Sequence, residues 1–207
     1  MKNIMISGPD GTGKSTISES LQDYYKSENM GVESVWLRFN HYFAKVVNIF
    51  GRIFGKSYYE IYSWGKAGYH DYHGIIGYFY IYAVYLDHII FRMFLRKKYL
   101  ENTDVEVLII DRYILDIMAD LIVDTSKNEL VLKLFIPFAK KELEVSSAYI
   151  LKCSPDIVIS RRADIKDDKS WMSKRDAYVF LAEKLNIKEI DTGELSIEEI
   201  VKIITAS

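Results

Sequence analysis

The sequence GPDGTGKST, residues 8–16, is the most informative stretch of this chain. It matches the pattern G-x-x-x-x-G-K-[ST] in full, and it lies between an apolar strand candidate (residues 3–7) and a helix candidate (residues 15–25). Glycines let the backbone wrap closely, so that successive N–H groups point at phosphate oxygens, and the helix that follows adds its positive end. The stretch therefore predicts a phosphate-binding loop, and a glycine-rich turn that matches by chance is the alternative. Its glycine order, G-x-x-G-x-G, disfavours a dinucleotide-binding turn.

The side chains of this loop predict how a nucleotide triphosphate and its metal would be held. Lys14 is expected to reach the β- and γ-phosphates, and the Ser15 hydroxyl is a ligand for Mg²⁺. Asp111 follows an apolar strand candidate (residues 105–110), and a carboxylate in that place is the second expected partner of Mg²⁺, directly or through water. A helix N-cap is the structural alternative for Asp111, and it is compatible with that role. The predicted ATP-binding residues are Gly8, Asp10, Gly11, Thr12, Gly13, Lys14, Ser15 and Thr16.

Short apolar segments alternate with helical patterns along the rest of the chain. Further strand candidates lie at residues 33–38, 148–153 and 187–190, and Ser154 and Ser196 are typical of residues that open helices. Such alternation predicts an α/β protein with a central parallel sheet covered by helices on both faces, in the three-layer arrangement of P-loop NTPases. The chain is too short for two comfortable cores, so residues 1–207 are predicted to form one domain.

Composition excludes several classes of protein. Hydrophobic residues make up 49% and charged residues 27%, which is typical of a globular chain, and the formal net charge of −2 gives no reason to expect a nucleic-acid partner. The single cysteine, Cys153, rules out a disulfide framework. The first residues lack the apolar run of a signal peptide, and the longest apolar run, residues 75–86, is shorter than the roughly 18 residues that a membrane span needs. We therefore expect a cytoplasmic protein with no membrane partner.

In order and spacing over nearly the whole chain, the sequence resembles the thymidylate kinase family of nucleoside monophosphate kinases. The resemblance rests on the loop at 8–16, on the Asp-Arg-Tyr segment at 111–113, and on the strand, turn and helix at 151–161. The C-terminal strand and helix at 190–199 are also similar. The resemblance implies a phosphotransferase that uses ATP and Mg²⁺ to convert dTMP to dTDP in nucleotide biosynthesis.

The resemblance also implies roles for individual residues. In the family, an arginine in the loop or in a mobile lid (here about residues 161–173) stabilises the transferred group. Because Gly11 stands at the loop position, Arg161 or Arg162 is the candidate, and the choice between them is open. His88 falls near the family's base-reading arginine, and a buried structural histidine is the alternative. The implied acceptor-binding residues are Asp10, Arg38, His88, Arg112 and Tyr113, and the implied catalytic residues are Lys14, Arg112, Arg161 and Arg162.

Residue chemistry separately favours a phosphate as the acceptor. Arg38 ends the strand candidate at 33–38, Arg112 comes after the strand candidate at 105–110, and two cations can hold an anionic acceptor that needs no general base. Asp116 departs from the family pattern, and His88 stands near the place of the family's base-reading arginine, so a kinase of another nucleotide or of a small phosphorylated metabolite is the second hypothesis. A nucleotide-binding regulatory module without turnover is the third, although the guanine-reading motif N-K-x-D is missing from the sequence.

Aromatic residues are concentrated in one part of the chain. Residues 36–99 contain 20 of the 29 aromatics. Residues 40–100 are predicted to form a helical region that binds the acceptor. A base needs only one or two rings for stacking, so most of these side chains should belong to the core or to an interface. We expect a homodimer contact here, and membrane contact is the alternative.

Overall fold

The computed structural model describes residues 1–37, 42–62, 65–100 and 105–206, with the backbone alone for residues 94–100. The strands are β1 (Lys2–Ser7), β2 (Val32–Trp36), β3 (Ser57–Tyr62), β4 (Gly65–His70), β5 (Val107–Asp111), β6 (Ser146–Lys152) and β7 (Lys188–Asp191). The helices are α1 (Lys14–Ser27), α2 (Phe43–Ile53), α3 (Ile75–Leu100), α4 (Ile114–Thr125), α5 (Asn128–Leu143), α6 (Pro155–Arg161), α7 (Trp171–Leu185) and α8 (Ile197–Thr205). A short 3₁₀ helix, Ala163–Asp167, connects α6 to α7.

Five parallel strands form the central sheet in the order β2-β5-β1-β6-β7. Along β5, Leu108 and Ile110 pack in the core with α3, α4, α5 and α7, whereas Val107 and Ile109 pack in the core with α1 and α8. Alternate side chains therefore serve opposite faces, because successive residues of a strand point to opposite sides of the sheet. The predicted three-layer α/β fold is confirmed.

The carboxyl ends of the strands meet at one edge of the sheet. Asp111, the last residue of β5, is in register with Ile6 of β1 and with Trp36 of β2. The chain leaves β1 into residues 8–13 and leaves β5 into Arg112. Parallel pairing therefore brings together two segments that are about a hundred residues apart, and ligands of open α/β sheets bind at this edge.

The sequence predicted a helical region at residues 40–100. The structure differs, because this region is not helical throughout. Between α2 and α3 the structure has an antiparallel hairpin of β3 and β4, with Ser57 opposite His70 and Tyr62 opposite Gly65. Gly55, at a φ of 66°, ends the run of α2 in the left-handed region that favours glycine. The segment SYYEIY that follows is rich in the aromatic residues that favour strands, so it pairs locally and does not continue the helix.

None of the helices within the described ranges is both long enough and apolar enough to cross a membrane. The predicted lid, about residues 161–173, corresponds to the end of α6, the 3₁₀ helix and the start of α7.

Candidate active site

The predicted phosphate-binding loop connects β1 to α1 and fits closely against its neighbours. A Cβ atom at Gly8, where φ is 145°, would lie 2.4 Å from the carbonyl oxygen of Leu151 on β6. A Cβ atom at Gly11, where φ is 82°, would lie 2.6 Å from Cγ1 of Val158 on α6. A side chain at Gly8 would collide with backbone, and a side chain at Gly11 would displace the Val158 side chain, and both positions have a φ that favours glycine.

Lys14 begins α1 and turns its ammonium group back toward the loop. Its Nζ donates hydrogen bonds to the carbonyl oxygens of Gly8 (2.8 Å) and Pro9 (2.6 Å), and it lies 3.8 Å from Oδ1 of Asp10. Only 4% of the side chain is exposed. Burial, and then the charge of Arg112, lower the pKa of Lys14 to about 8 against the opposing influence of nearby carboxylates. The loop therefore holds a cation that has lost most of its water.

Asp10 connects this loop to the segment after β5 and to the lid. Its Oδ1 accepts a hydrogen bond from the Arg112 guanidinium, and its backbone carbonyl accepts one from Nε1 of Trp171 at 2.8 Å. Arg112 has a φ of 63°, and its N–H donates to the carbonyl oxygen of Ile6 at 3.1 Å. The fold thus brings the predicted residues Asp10, Lys14 and Arg112 to one place.

Asp111 has the properties expected of a partner for a cation. Its Oδ1 is buried and has no hydrogen-bond partner among the described residues. Burial raises the pKa of the Asp111 carboxyl, although Arg112 and Lys14 oppose the shift. Among the described residues no group of three or more His, Cys, Asp or Glu could hold a metal ion. Mg²⁺ often binds through one or two carboxylates together with phosphates and waters, so Asp111 and Ser15 fit that ion.

Asp116 is a site residue whose structural role was missed from the sequence. It is fully buried, and its carboxylate accepts hydrogen bonds from the Ser7 hydroxyl (2.7 Å), the Tyr178 hydroxyl (2.7 Å) and the Tyr113 N–H (3.0 Å). Asp116 therefore connects the end of β1 to the start of α4 and the middle of α7, inside the protein. Tyr113 precedes α4, and Asp116 is the third residue of that helix. An acidic residue at this position forms a capping box with the helix start, and this spacing is the signal that could have revealed the role of Asp116.

The two lid arginines point to different partners. Arg161 donates to the Thr192 hydroxyl (3.2 Å) and carbonyl (2.7 Å), beyond the end of β7. Arg162 pairs with Asp164 in the lid, and that pairing, followed by the charges of carboxylates that include Asp10, raises the pKa of Arg162. Arg161 is therefore bound to the segment after β7, whereas Arg162 is bound to the 3₁₀ helix between α6 and α7.

His88 and Tyr113 lie away from this cluster. The His88 ring is 2% exposed and packs against the rings of Tyr113, Phe135 and Phe138. Burial, and then the charge of Arg92, lower the pKa of His88 to about 4. Tyr113 is equally buried. The structure places both residues in the core and does not bring their rings to the loop.

The other predicted residues follow the course of the loop. Thr12 is buried and donates to the carbonyl oxygen of Pro9 at 2.8 Å, whereas Ser15 and Thr16 are exposed in the first turn of α1. Arg38 lies outside the described residues. Its neighbour Leu37 donates its N–H to the carbonyl oxygen of Arg112 at 3.2 Å.

A cavity of about 380 Å³ lies beside α4, under the β3–β4 hairpin. Parts of α3, α4, α7 and the hairpin line it, so residues far apart in sequence meet there. Its polar and aromatic lining residues are Tyr59, Tyr69, His70, Tyr80, Asp120, Asp124, Ser170 and Lys174. The cavity could not be anticipated from the sequence, because the β3–β4 hairpin that lines it lies in the region predicted to be helical.

Comparison of the chain with protein-family models gives no match, and comparison with curated proteins gives none either.

We expect the buried charge of Lys14 to destabilise the fold in a pH-dependent way. The pKa of Lys14 falls from 10.5 to about 8 on folding, so the folded protein binds fewer protons between these values and its stability rises with pH there. Relative to wild type, Lys14→Met should therefore gain most in free energy of unfolding below pH 8, and the gain should shrink toward pH 10.5. Urea unfolding from pH 7 to 10.5 measures this difference. The exposed Lys26→Met in the same helix is the control, and a gain for Lys14→Met that does not change with pH would contradict the expectation.

Proposed function

We propose that the chain is an ATP- and Mg²⁺-dependent phosphotransferase acting on a nucleoside monophosphate, with dTMP as the acceptor implied by the resemblance to the thymidylate kinases. The observation that carries the proposal is the meeting of a buried loop lysine, Lys14, with Asp10 and Arg112 at the carboxyl edge of a parallel sheet. A glycine loop of this sequence before a helix suits a triphosphate. Arg112 beside it suits a second anion.

The chemistry needs positioning and charge more than it needs a base. An oxygen of the acceptor phosphate attacks the γ-phosphorus of ATP, the bond between that phosphorus and the β–γ bridging oxygen breaks, and ADP leaves. Lys14 and the loop N–H groups would bind the β- and γ-phosphates, and Arg112 would bind the acceptor phosphate. Mg²⁺, held by Ser15 and Asp111, would neutralise charge on the phosphates. The acceptor oxygen is already anionic, so no residue has to remove a proton from it.

Lys14→Ala should abolish turnover while the fold persists, because the variant keeps the glycine geometry of the loop and loses its cation. Release of ADP would be measured with ATP, Mg²⁺ and a panel of monophosphates headed by dTMP, with circular dichroism to check folding. Lys26→Ala, an exposed change in the same helix, is the matched control. Full activity in folded Lys14→Ala would contradict the proposal. Tight ATP binding by wild type with no transfer to any acceptor would favour a regulatory module instead.

We further propose that Arg162, and not Arg161, stabilises the transferred phosphoryl group. Arg162 is paired with Asp164 in the predicted lid, where half of its side chain is exposed, whereas Arg161 is bound to Thr192 beyond β7. Arg162→Ala should lower kcat by a factor of about 10³ to 10⁵, as loss of such an arginine does elsewhere. Arg161→Ala should cause a much smaller loss. Single-turnover kinetics of both variants would measure this, and the reverse order of effects would exchange the two roles.

We also propose that the chain forms a homodimer through an apolar surface on α2 and α3, here called the α2–α3 face. Its exposed apolar side chains are Val46, Ile49, Phe50, Ile53, Phe54, Ile75, Phe79, Tyr82 and Leu86. On α3 they recur at spacings of four, three and four residues, which places them on one stripe. Together they expose on the order of 1,000 Å², against about 800 Å² that each partner of a standard interface buries. A typical monomer has no apolar patch larger than about 600 Å².

Phe79→Glu should dissociate this dimer, because it places a charge in the middle of the stripe. Analytical ultracentrifugation of wild type should give twice the mass of the chain at both low and high salt. Val145→Glu, an exposed apolar position outside the α2–α3 face, should leave the dimer intact. A wild-type monomer at micromolar concentration would refute the interface.

A further inference from the structure

We infer that Trp171 is a positioning residue of the phosphate-binding loop, and that its indole couples the binding of ATP in the loop to closure of the lid. The inference rests on the proposed function and names how lid closure at that same site is regulated. Trp171 is the first residue of α7, so it belongs to the predicted lid at about residues 161–173.

The indole of Trp171 connects the lid directly to the backbone of the loop. Its Nε1 donates a hydrogen bond to the carbonyl oxygen of Asp10 at 2.8 Å, although 161 positions separate the two residues in the chain. The Trp171 side chain is only 3% exposed. A buried carbonyl that loses its donor is costly, so this hydrogen bond favours the arrangement in which the lid contacts the loop.

The direction of one loop N–H group follows from this hydrogen bond. The carbonyl of Asp10 and the N–H of Gly11 belong to one peptide unit, and the peptide bond is trans. In a trans peptide these two groups point in opposite directions. An indole that fixes the carbonyl of Asp10 therefore also fixes the N–H of Gly11, which is one of the loop N–H groups that would bind the phosphates of ATP.

An apolar cluster beside the loop holds the same indole by packing. The cluster consists of Trp171, Cys153 after β6, Val158 on α6 and Ile165 in the 3₁₀ helix. A Cβ atom at Gly11 would lie 2.6 Å from Cγ1 of Val158 and 3.8 Å from Cγ1 of Ile165. The backbone of the loop therefore lies against the cluster that contains the indole, so a displacement of the lid would disturb both the packing and the hydrogen bond.

The β3–β4 hairpin also contacts the lid, but through weaker interactions. Nζ of Lys169 lies 2.6 Å from Oε1 of Glu60 on β3, with 64% of the lysine side chain exposed, and the Tyr69 hydroxyl lies 3.5 Å from Oδ1 of Asp168. Exposed ion pairs contribute little to stability, and this hydroxyl contact is long for a hydrogen bond. The buried indole of Trp171 is therefore the contact that we expect to hold the lid closed.

Limited digestion with trypsin measures the coupling, because Lys166 and Lys169 are exposed residues of the lid after which trypsin cleaves. Cleavage requires local opening, so a closed lid is cut slowly. We expect ATP and Mg²⁺ to slow cleavage of the wild-type lid at least about 5-fold, the lower end of typical coupling between sites. Trp171→Phe keeps a flat apolar ring and loses the N–H. This variant should lose most of the protection, and its Kd for ATP, measured by calorimetry, should rise about 5- to 100-fold.

Ile165→Ala is the matched control for the loss of packing. It removes a similar number of atoms from the same apolar cluster and keeps the indole N–H. The control should lose stability in urea unfolding, but its ATP affinity and its ATP-dependent lid protection should stay close to those of wild type. An equal loss of protection in Ile165→Ala and Trp171→Phe would mean that the indole acts by packing alone, and would overturn the inference.

A measurement on the wild type does not depend on whether a variant folds. The chain has three tryptophans and therefore three indole N–H signals in a ¹H–¹⁵N spectrum, which Trp36→Phe and Trp64→Phe would assign. The indole N–H of Trp171 should exchange with solvent deuterium at least about 5-fold more slowly when ATP and Mg²⁺ are bound. An exchange rate that ATP leaves unchanged would contradict the coupling.

These measurements need no turnover, so failure of the inference and failure of the proposed function are distinguishable. Lid protection by ATP that is lost in Trp171→Phe, together with no transfer to any monophosphate, supports the inference and overturns the kinase. Phosphoryl transfer by the wild type, together with wild-type ATP affinity and lid protection in Trp171→Phe, overturns the inference and leaves the kinase standing.

Discussion

The site depends on one constraint, which is that a lysine ammonium must be held inside a tight glycine loop. Lys14 is almost fully buried and is held by two loop carbonyls, and the loop can lie against β6 only because Gly8 has no side chain. Burying a charge is unfavourable, and it is tolerated here because carbonyl oxygens and carboxylates replace the lost water. A ligand carrying several negative charges would compensate that cation more completely, which is the physical reason to regard the loop as a phosphate site.

Two carboxylates with different surroundings organise the groups around the loop. Asp10 accepts from Arg112 and, through its backbone, from the lid residue Trp171, so it connects the loop to both sides of the cleft. Asp116 is buried behind the loop and is satisfied by two hydroxyl groups and one backbone N–H. From the sequence, Asp116 was a departure from the family pattern. Its hydrogen bonds show that it connects β1, α4 and α7 inside the protein.

The hairpin changes the picture of the acceptor region. The β3–β4 hairpin lies over α4, and a cavity lined by polar and aromatic side chains lies between them. Asp120 and Asp124 face that cavity, and His88, the residue expected to read a base, is enclosed by aromatic rings instead. The resemblance therefore extends to the grouping of Asp10, Lys14 and Arg112 and not to the position of His88.

Several features could be predicted from the sequence because each depends on residues that are close together in the chain. They are the glycine loop, the individual strands beside it, the helix start at Ser196 and the position of Asp111 at the end of a strand. The hairpin, the separate partners of Arg161 and Arg162, the burial of His88 and the cavity could not. Each of these depends on contacts between segments tens of residues apart, and a single sequence carries no direct record of such contacts. Local sequence patterns indicate which interactions a residue can make, and tertiary packing determines which neighbours it makes them with. That is why a phosphate-binding loop could be proposed from nine consecutive residues, whereas the surroundings of Asp116 and His88 became visible only after the strands and helices had been assembled.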